Sequence, residues 1–151
     1  MADGLILYVE NSPEDIELAE LMFRRLAVRN PLRFVRSGAE AMEYLSGRGK
    51  FADRAKNPFP GLILLDISMP ELDGFEVLSL IRDEEAFKGL PVFMFSNFDE
   101  PEDRERAKQL GANGYMAKTA SHQSFAVWLD DINARLKAAN HPESVIEFTK
   151  T

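Results

Sequence analysis

The stretch GLILLDISMPELDG, Gly61 to Gly74, decides the fold, because it sets an acid at the abrupt end of a wholly apolar run. Leu62, Ile63, Leu64 and Leu65 show no polar alternation, the pattern of a strand buried on both faces of a parallel sheet. Asp66 ends the run. Parallel sheets keep their ligand chemistry in the crevice at the carboxyl ends of their strands, so a carboxylate emerging there is placed for work. Met69-Pro70 and Asp73-Gly74 then read as a turn and the start of a helix from Phe75 to Glu85, with Phe75, Leu78 and Ile81 at core spacing. Taken alone, Asp66 is better explained as a loop cap, so the other strands must decide.

Upstream, the run Leu5 to Val9 predicts a first strand that ends in Glu10-Asn11. Ser12, Pro13 and Asp15 supply an N-cap, a first-turn proline and an acidic third position, opening a helix with Ile16, Ala19, Phe23 and Leu26 on one face. Leu32 to Val35, flanked by Arg33 and Arg36, suits an edge strand. Ser37 and Glu40 form a capping-box pair for a helix carrying Ala41, Tyr44 and Leu45. The polar connection from Gly47 to Pro60 is longer than most, and its Arg48, Lys50, Arg54 and Lys56 read as a solvated face rather than a docking patch. Downstream, Pro91 to Phe95 is a fourth strand ending in Ser96-Asn97, and Asp99 to Leu110 a charged helix stopped by Gly111. Gly114 to Ala117 is a short fifth strand ending in Lys118. Ser121 to Ala139 is a last helix, with Phe125, Leu129, Ile132 and Leu136 at intervals of three and four. This alternation argues for a doubly wound α/β sheet with helices on both faces.

At 151 residues and 45% apolar composition, the chain is long enough for one domain with a substantial core. No apolar run approaches a membrane span and no secretory signal pattern opens the chain, so a soluble, cytoplasmic protein with no membrane partner is expected. The absence of cysteine excludes disulfide and thiol chemistry and fits a reducing compartment. A net charge of −7 repels phosphate backbones, so nucleic acid is not expected as a partner.

Four strands thus deliver Glu10-Asn11, Asp66, Ser96 and Lys118 to one edge of the sheet. Polar residues are common there, but this set is two acids, a hydroxyl and a lone lysine. Acids gathered without a cation raise one another's pKa, so a divalent metal and Lys118 are the natural counter-charges. Oxygen donors with no His or Cys nearby favour a hard ion such as Mg²⁺. An aspartate beside Mg²⁺ is a competent nucleophile toward phosphorus.

In these features Leu5 to Ala139 resembles the receiver domain of two-component response regulators: the acid after strand one, LLDISMPELDG, Ser96 after strand four, and GANGYMAK from Gly111 to Lys118. The resemblance implies a five-stranded parallel sheet in the order 2-1-3-4-5 flanked by five helices, the flavodoxin-like receiver fold. It implies that Asp66 accepts a phosphoryl group from a sensor histidine kinase or phosphotransfer protein, with no enzymatic activity beyond the protein's own phosphorylation and dephosphorylation. Mg²⁺ would be held by Glu10, Asn11, Asp66 and the backbone carbonyl of Ser68. Lys118 would contact the phosphate, while Ser96 swings toward it and Tyr115 turns inward. The long loop before strand three and the VENSPED opening look most like single-domain receivers paired with bacterial phytochrome-type kinases.

Two departures stand out. Asn11 falls where such receivers carry a metal-ligating acid, and Thr119 follows Lys118 where they carry a cis-proline, so a trans bond is expected there. A flavodoxin-like nucleotide binder would want Gly, Ser and Thr after strand one, where Glu10, Glu14 and Asp15 instead repel phosphate. A dehalogenase-type phosphohydrolase would want a second Asp where Ser68 stands. The serious alternative, resting on Asn11, is a pseudo-receiver that binds proteins without phosphorylation. The expected organisation is a receiver at 1–139 and a tail at 140–151, too short for an output domain, so the signal leaves by contact with a downstream protein. The surface of the fourth helix, fifth strand and fifth helix is the expected place. Within the tail, Ser144 to Thr149 carries Val145, Ile146 and Phe148, and is expected to pack on the domain or on a second copy as a dimer arm.

Overall fold

Apolar runs too short for helices become strands here, and amphipathic segments between them become the crossovers that parallel pairing requires. The computed structural model describes residues 4–119 and 121–148. Its strands are β1 (Ile6–Val9), β2 (Leu32–Val35), β3 (Leu62–Asp66), β4 (Val92–Ser96) and β5 (Gly114–Ala117). Its helices are α1 (Pro13–Arg25), α2 (Gly38–Ser46), α3 (Gly74–Asp83), α4 (Pro101–Gln109) and α5 (His122–Ala138). All neighbouring strands are parallel, in the order β2-β1-β3-β4-β5.

Side chains alternate across a strand, and this decides which helices each residue meets. Leu7, Val9, Ile63, Leu65, Met94 and Tyr115 pack with Tyr44, Leu78 and Ala107 of α2, α3 and α4. Ile6, Tyr8, Leu64, Phe93, Phe95 and Met116 pack with Phe23 of α1 and Phe125, Trp128 and Leu129 of α5. The central strands β3 and β4 are buried along their whole length, which is why they carry no polar alternation.

The expected elements differ from the structure in ways with local causes. Asp66 and Ser96 are the last residues of their strands, held by pairing to β4 and β5, rather than the first residues beyond them. The third helix starts at Gly74 and stops at Asp83, and residues 85–87 form a separate 3₁₀ turn. Ser37 caps α2, but Glu40 accepts from the Arg36 amide instead of closing a box on Ser37. The reciprocal box forms at α3, between Asp73 and Glu76. Arg54 is not part of a solvated face. Its guanidinium donates to the carbonyls of Tyr44, Leu45 and Asn57 and lies over the Tyr44 ring, so it closes the C-terminal end of α2.

From residue 144 to 148 the tail packs on the domain, with Ile146 buried; Thr149, also expected in that segment, lies outside the described residues. Two amides hold it. Asn133 of α5 donates to the Ile146 carbonyl and accepts from its N–H. Asn30 donates to Gly4 and Val145 and accepts from the Glu147 amide. These bonds satisfy backbone groups that an unpaired segment would leave open.

Candidate functional site

Strand alternation sorts the candidate residues before any distance is considered. Glu10 falls in step with Tyr8, Asp66 with Leu64 and Lys118 with Met116, all on the α1 and α5 side of the sheet. Ser96 and Tyr115 fall in step with Met94 and face the other helices. The first group does meet. The Lys118 ammonium lies 2.6 Å from Glu10 Oε1, 3.1 Å from Asp66 Oδ1 and 3.0 Å from Asp15 Oδ2. Glu10 and Asp66 are buried, whereas Asp15 is partly exposed at the start of α1.

Burial pushes the Glu10 carboxyl up to about 7, against the hydrogen bond from Lys118 and with the Asp66 charge adding to the rise. For Lys118, burial pulls downward, but the hydrogen bond to Glu10 and the charges of Asp66 and Glu10 outweigh it and hold the ammonium above the ordinary lysine range. Lys118 therefore remains a cation among the acids. Together with Asn97, Thr119, Phe125 and Trp128, Asp15 and Lys118 line a cavity of about 270 Å³.

On the opposite side of the sheet, Ser96 Oγ accepts from the Phe98 amide, while the Phe98 carbonyl accepts from the Tyr115 hydroxyl at 2.9 Å. Tyr115 is already buried, with the Arg104 guanidinium 5.0 Å from its ring centre, and Arg104 also pairs with Asp99. The Lys118–Thr119 bond is trans; no peptide bond among the described residues is cis.

Asn11 is half-buried after β1, and Ser68 lies exposed in the loop after β3. Two carboxylates, an amide and a carbonyl fit a hard divalent cation in donor chemistry. They are poor in charge, however: no three His, Cys, Asp or Glu residues among those described are grouped to hold a metal ion. Sequence reasoning missed Asp15 as a partner of Lys118. It took this residue for a first-turn acid and for one of the acids that repel phosphate after strand one, and the signal that could have marked it is its place on the face of α1 turned toward the strand ends.

Residues 6–129 match the model of the response regulator receiver domain. Response regulator Rcp1 of Synechocystis is 31% identical over 115 residues, 76% of each chain. The solved Mn²⁺-bound form of Rcp1 has a TM-score of 0.72 at 28% identity, covering 87% of this chain and 92% of that one. The response regulator RPA3017 in red light signaling of R. palustris superposes with a TM-score of 0.76 at 30% identity, over 97% of this chain and 99% of that one. The phosphorylated cyanobacterial phytochrome response regulator RcpA gives the same TM-score and identity, over 91% and 96%. Receiver domains are signalling proteins that meet histidine kinases or phosphotransfer proteins and downstream targets. With the sheet order, the strand-end acids and Lys118 all agreeing, the chain belongs to the response regulator receiver domain family.

Proposed function

We propose that this protein is a stand-alone cytoplasmic receiver in which Asp66 accepts a phosphoryl group from a phosphohistidine of a sensor kinase or phosphotransfer protein. The observation that carries this reading is the buried Asp66 carboxylate at the end of the central strand, sharing Lys118 with Glu10. In the transfer, the P–N bond of the phosphohistidine breaks as an O–P bond to Asp66 forms. Lys118 supplies positive charge where the phosphoryl oxygens arrive. Glu10, Asn11, Asp66 and the Ser68 carbonyl would hold Mg²⁺, which neutralises charge on the phosphoryl oxygens when bound. Release of the Phe98 amide by Ser96 would carry the signal to the Phe98–Tyr115 bond and so to the surface of α4, β5 and α5. Phe98 and Val127 are exposed there for a downstream protein. A second copy is a further partner in this reading. Deleting residues 140–151 lowers the mass seen by light scattering if the tail joins two copies, and an unchanged mass ends that part of it.

A second reading, the pseudo-receiver, is favoured by Asn11. Exchanging Asp for Asn removes a full charge beside the cation, but a carboxylate must also shed water to bind. The net weakening is on the order of 1.4–3 kcal/mol, or roughly ten- to a hundredfold in dissociation constant. Asn11→Asp should therefore tighten Mg²⁺ binding by that factor and speed labelling by a small phosphodonor at low Mg²⁺, leaving the final extent unchanged. Intact mass and Mg²⁺ titration read both. Should the wild type take no label at any Mg²⁺ concentration while Asn11→Asp does, the pseudo-receiver reading replaces the phosphoacceptor one.

A further inference from the structure

We propose that Asp15 is a positioning residue for phosphoryl transfer: it keeps the Lys118 ammonium at the site when Glu10 turns to a cation and Asp66 takes up the phosphoryl group. The inference rests on the phosphoacceptor reading above and adds a residue to it.

An ammonium has three N–H donors, and in the resting site three carboxylate oxygens, of Glu10, Asp66 and Asp15, surround Lys118. Two of these partners have other duties during the reaction. A lysine on a flexible four-carbon stem loses much rotamer freedom when fixed, so the surviving partner determines whether it stays in place. Asp15 is that partner, because it lies outside the set of cation ligands and on a different element.

The local structure ties Asp15 to Glu10 through Ser12. Ser12 Oγ accepts from the Asp15 amide, and the Ser12 amide donates to Glu10 Oε2, both at 3.3 Å. Lys118 then bridges Asp15 Oδ2 and Glu10 Oε1, closing a ring from β1 through the first turn of α1 to β5. A first-turn acid is also favourable toward the helix dipole, but that explains Glu14 equally well. Glu14 is exposed and its carboxylate accepts from the Ser12 hydroxyl. Asp15 is the one that reaches across to the lysine.

The decisive experiment pairs two readouts on the full chain. The first is the ¹H–¹⁵N signal of the Lys118 ammonium in the unphosphorylated protein at saturating Mg²⁺, when Glu10 and Asp66 face the cation, assigned by its absence in Lys118→Ala. The second is the rate of labelling by a small phosphodonor at saturating Mg²⁺. In the wild type the ammonium gives a resolved, slowly exchanging signal. In Asp15→Ala that signal merges with those of the solvated lysines and labelling slows about tenfold, with the half-saturating donor concentration unchanged. Asp15→Glu restores part of both, and Asp15→Asn, which keeps the acceptor oxygen and serves if the alanine variant folds poorly, falls between. An undisturbed ammonium signal in Asp15→Ala, or a labelling rate within about twofold of wild type, overturns the proposal. If the wild type takes no label, the phosphoacceptor reading fails, and the ammonium signal alone decides whether Asp15 holds Lys118.

Discussion

Asp66→Ala should gain no phosphate under conditions in which the wild-type chain gains one, with intact mass as the readout. The other acids at Lys118 cannot stand in. Glu10 has one oxygen on Lys118 and the other on the Ser12 amide, and Asp15 lies on α1, away from the end of the central strand. The loss should also be separable from unfolding. In Asp66→Ala, Lys118 keeps two carboxylate partners, and removal of the Asp66 charge relieves part of what raises Glu10. The buried ammonium therefore stays paired, which is the condition that avoids a large penalty. Thermal unfolding should move by no more than a few degrees. Equal labelling of wild type and variant would sink the assignment of Asp66.

The second large effect concerns a residue without a side chain. A Cβ on Gly74 would lie 2.4 Å from the Asp66 carbonyl oxygen and 2.8 Å from Ile67 Cα. Both obstacles are backbone, so no rotamer change relieves them. The Gly74 amide also donates to the Ile67 carbonyl at 2.9 Å, tying the start of α3 to the end of β3. Gly74→Ala should therefore cost about 3 kcal/mol, the upper part of the overpacking range. At about 2–4 °C per kcal/mol for a domain of this size, the unfolding midpoint falls by roughly 6–12 °C. Labelling slows as well, since the carbonyl that must yield belongs to Asp66. Circular dichroism melting checks the first effect, and a midpoint within about 2 °C of wild type would refute the close-approach argument.

Much of this site was legible because its carriers are local. Leu62 to Leu65 and the fourth strand have no polar alternation, so the acid or hydroxyl that ends each run marks a sheet edge. Strand periodicity also separates Asp66 from Ser96, but only once the register of β3 on β4 is known, and that pairing is not contained in either segment. Asp15 was hidden for a different reason. It meets Lys118 across 103 positions of sequence, while its local context already explains it as a helix-opening acid. Arg54 misled because a basic residue in a polar loop usually faces water; here the open carbonyls of α2 compete for it and win. Asn30 went unmarked, because its work on Gly4 and the tail depends on segments far away in the chain.

The amide-held tail has a practical side. Asn30 and Gly4 stand just before β2 and β1, so the segment from 144 to 148 docks at the end of the sheet where strands begin, and Asp66 lies at the end where they stop. A strand the length of β3 separates the two ends by roughly 15 Å. Because the chain has no cysteine, Glu143→Cys would create a unique thiol on the exposed turn before this segment. A dye or sensor-chip tether attached there would hang from the floor of the sheet and leave the acidic edge open to a docking kinase.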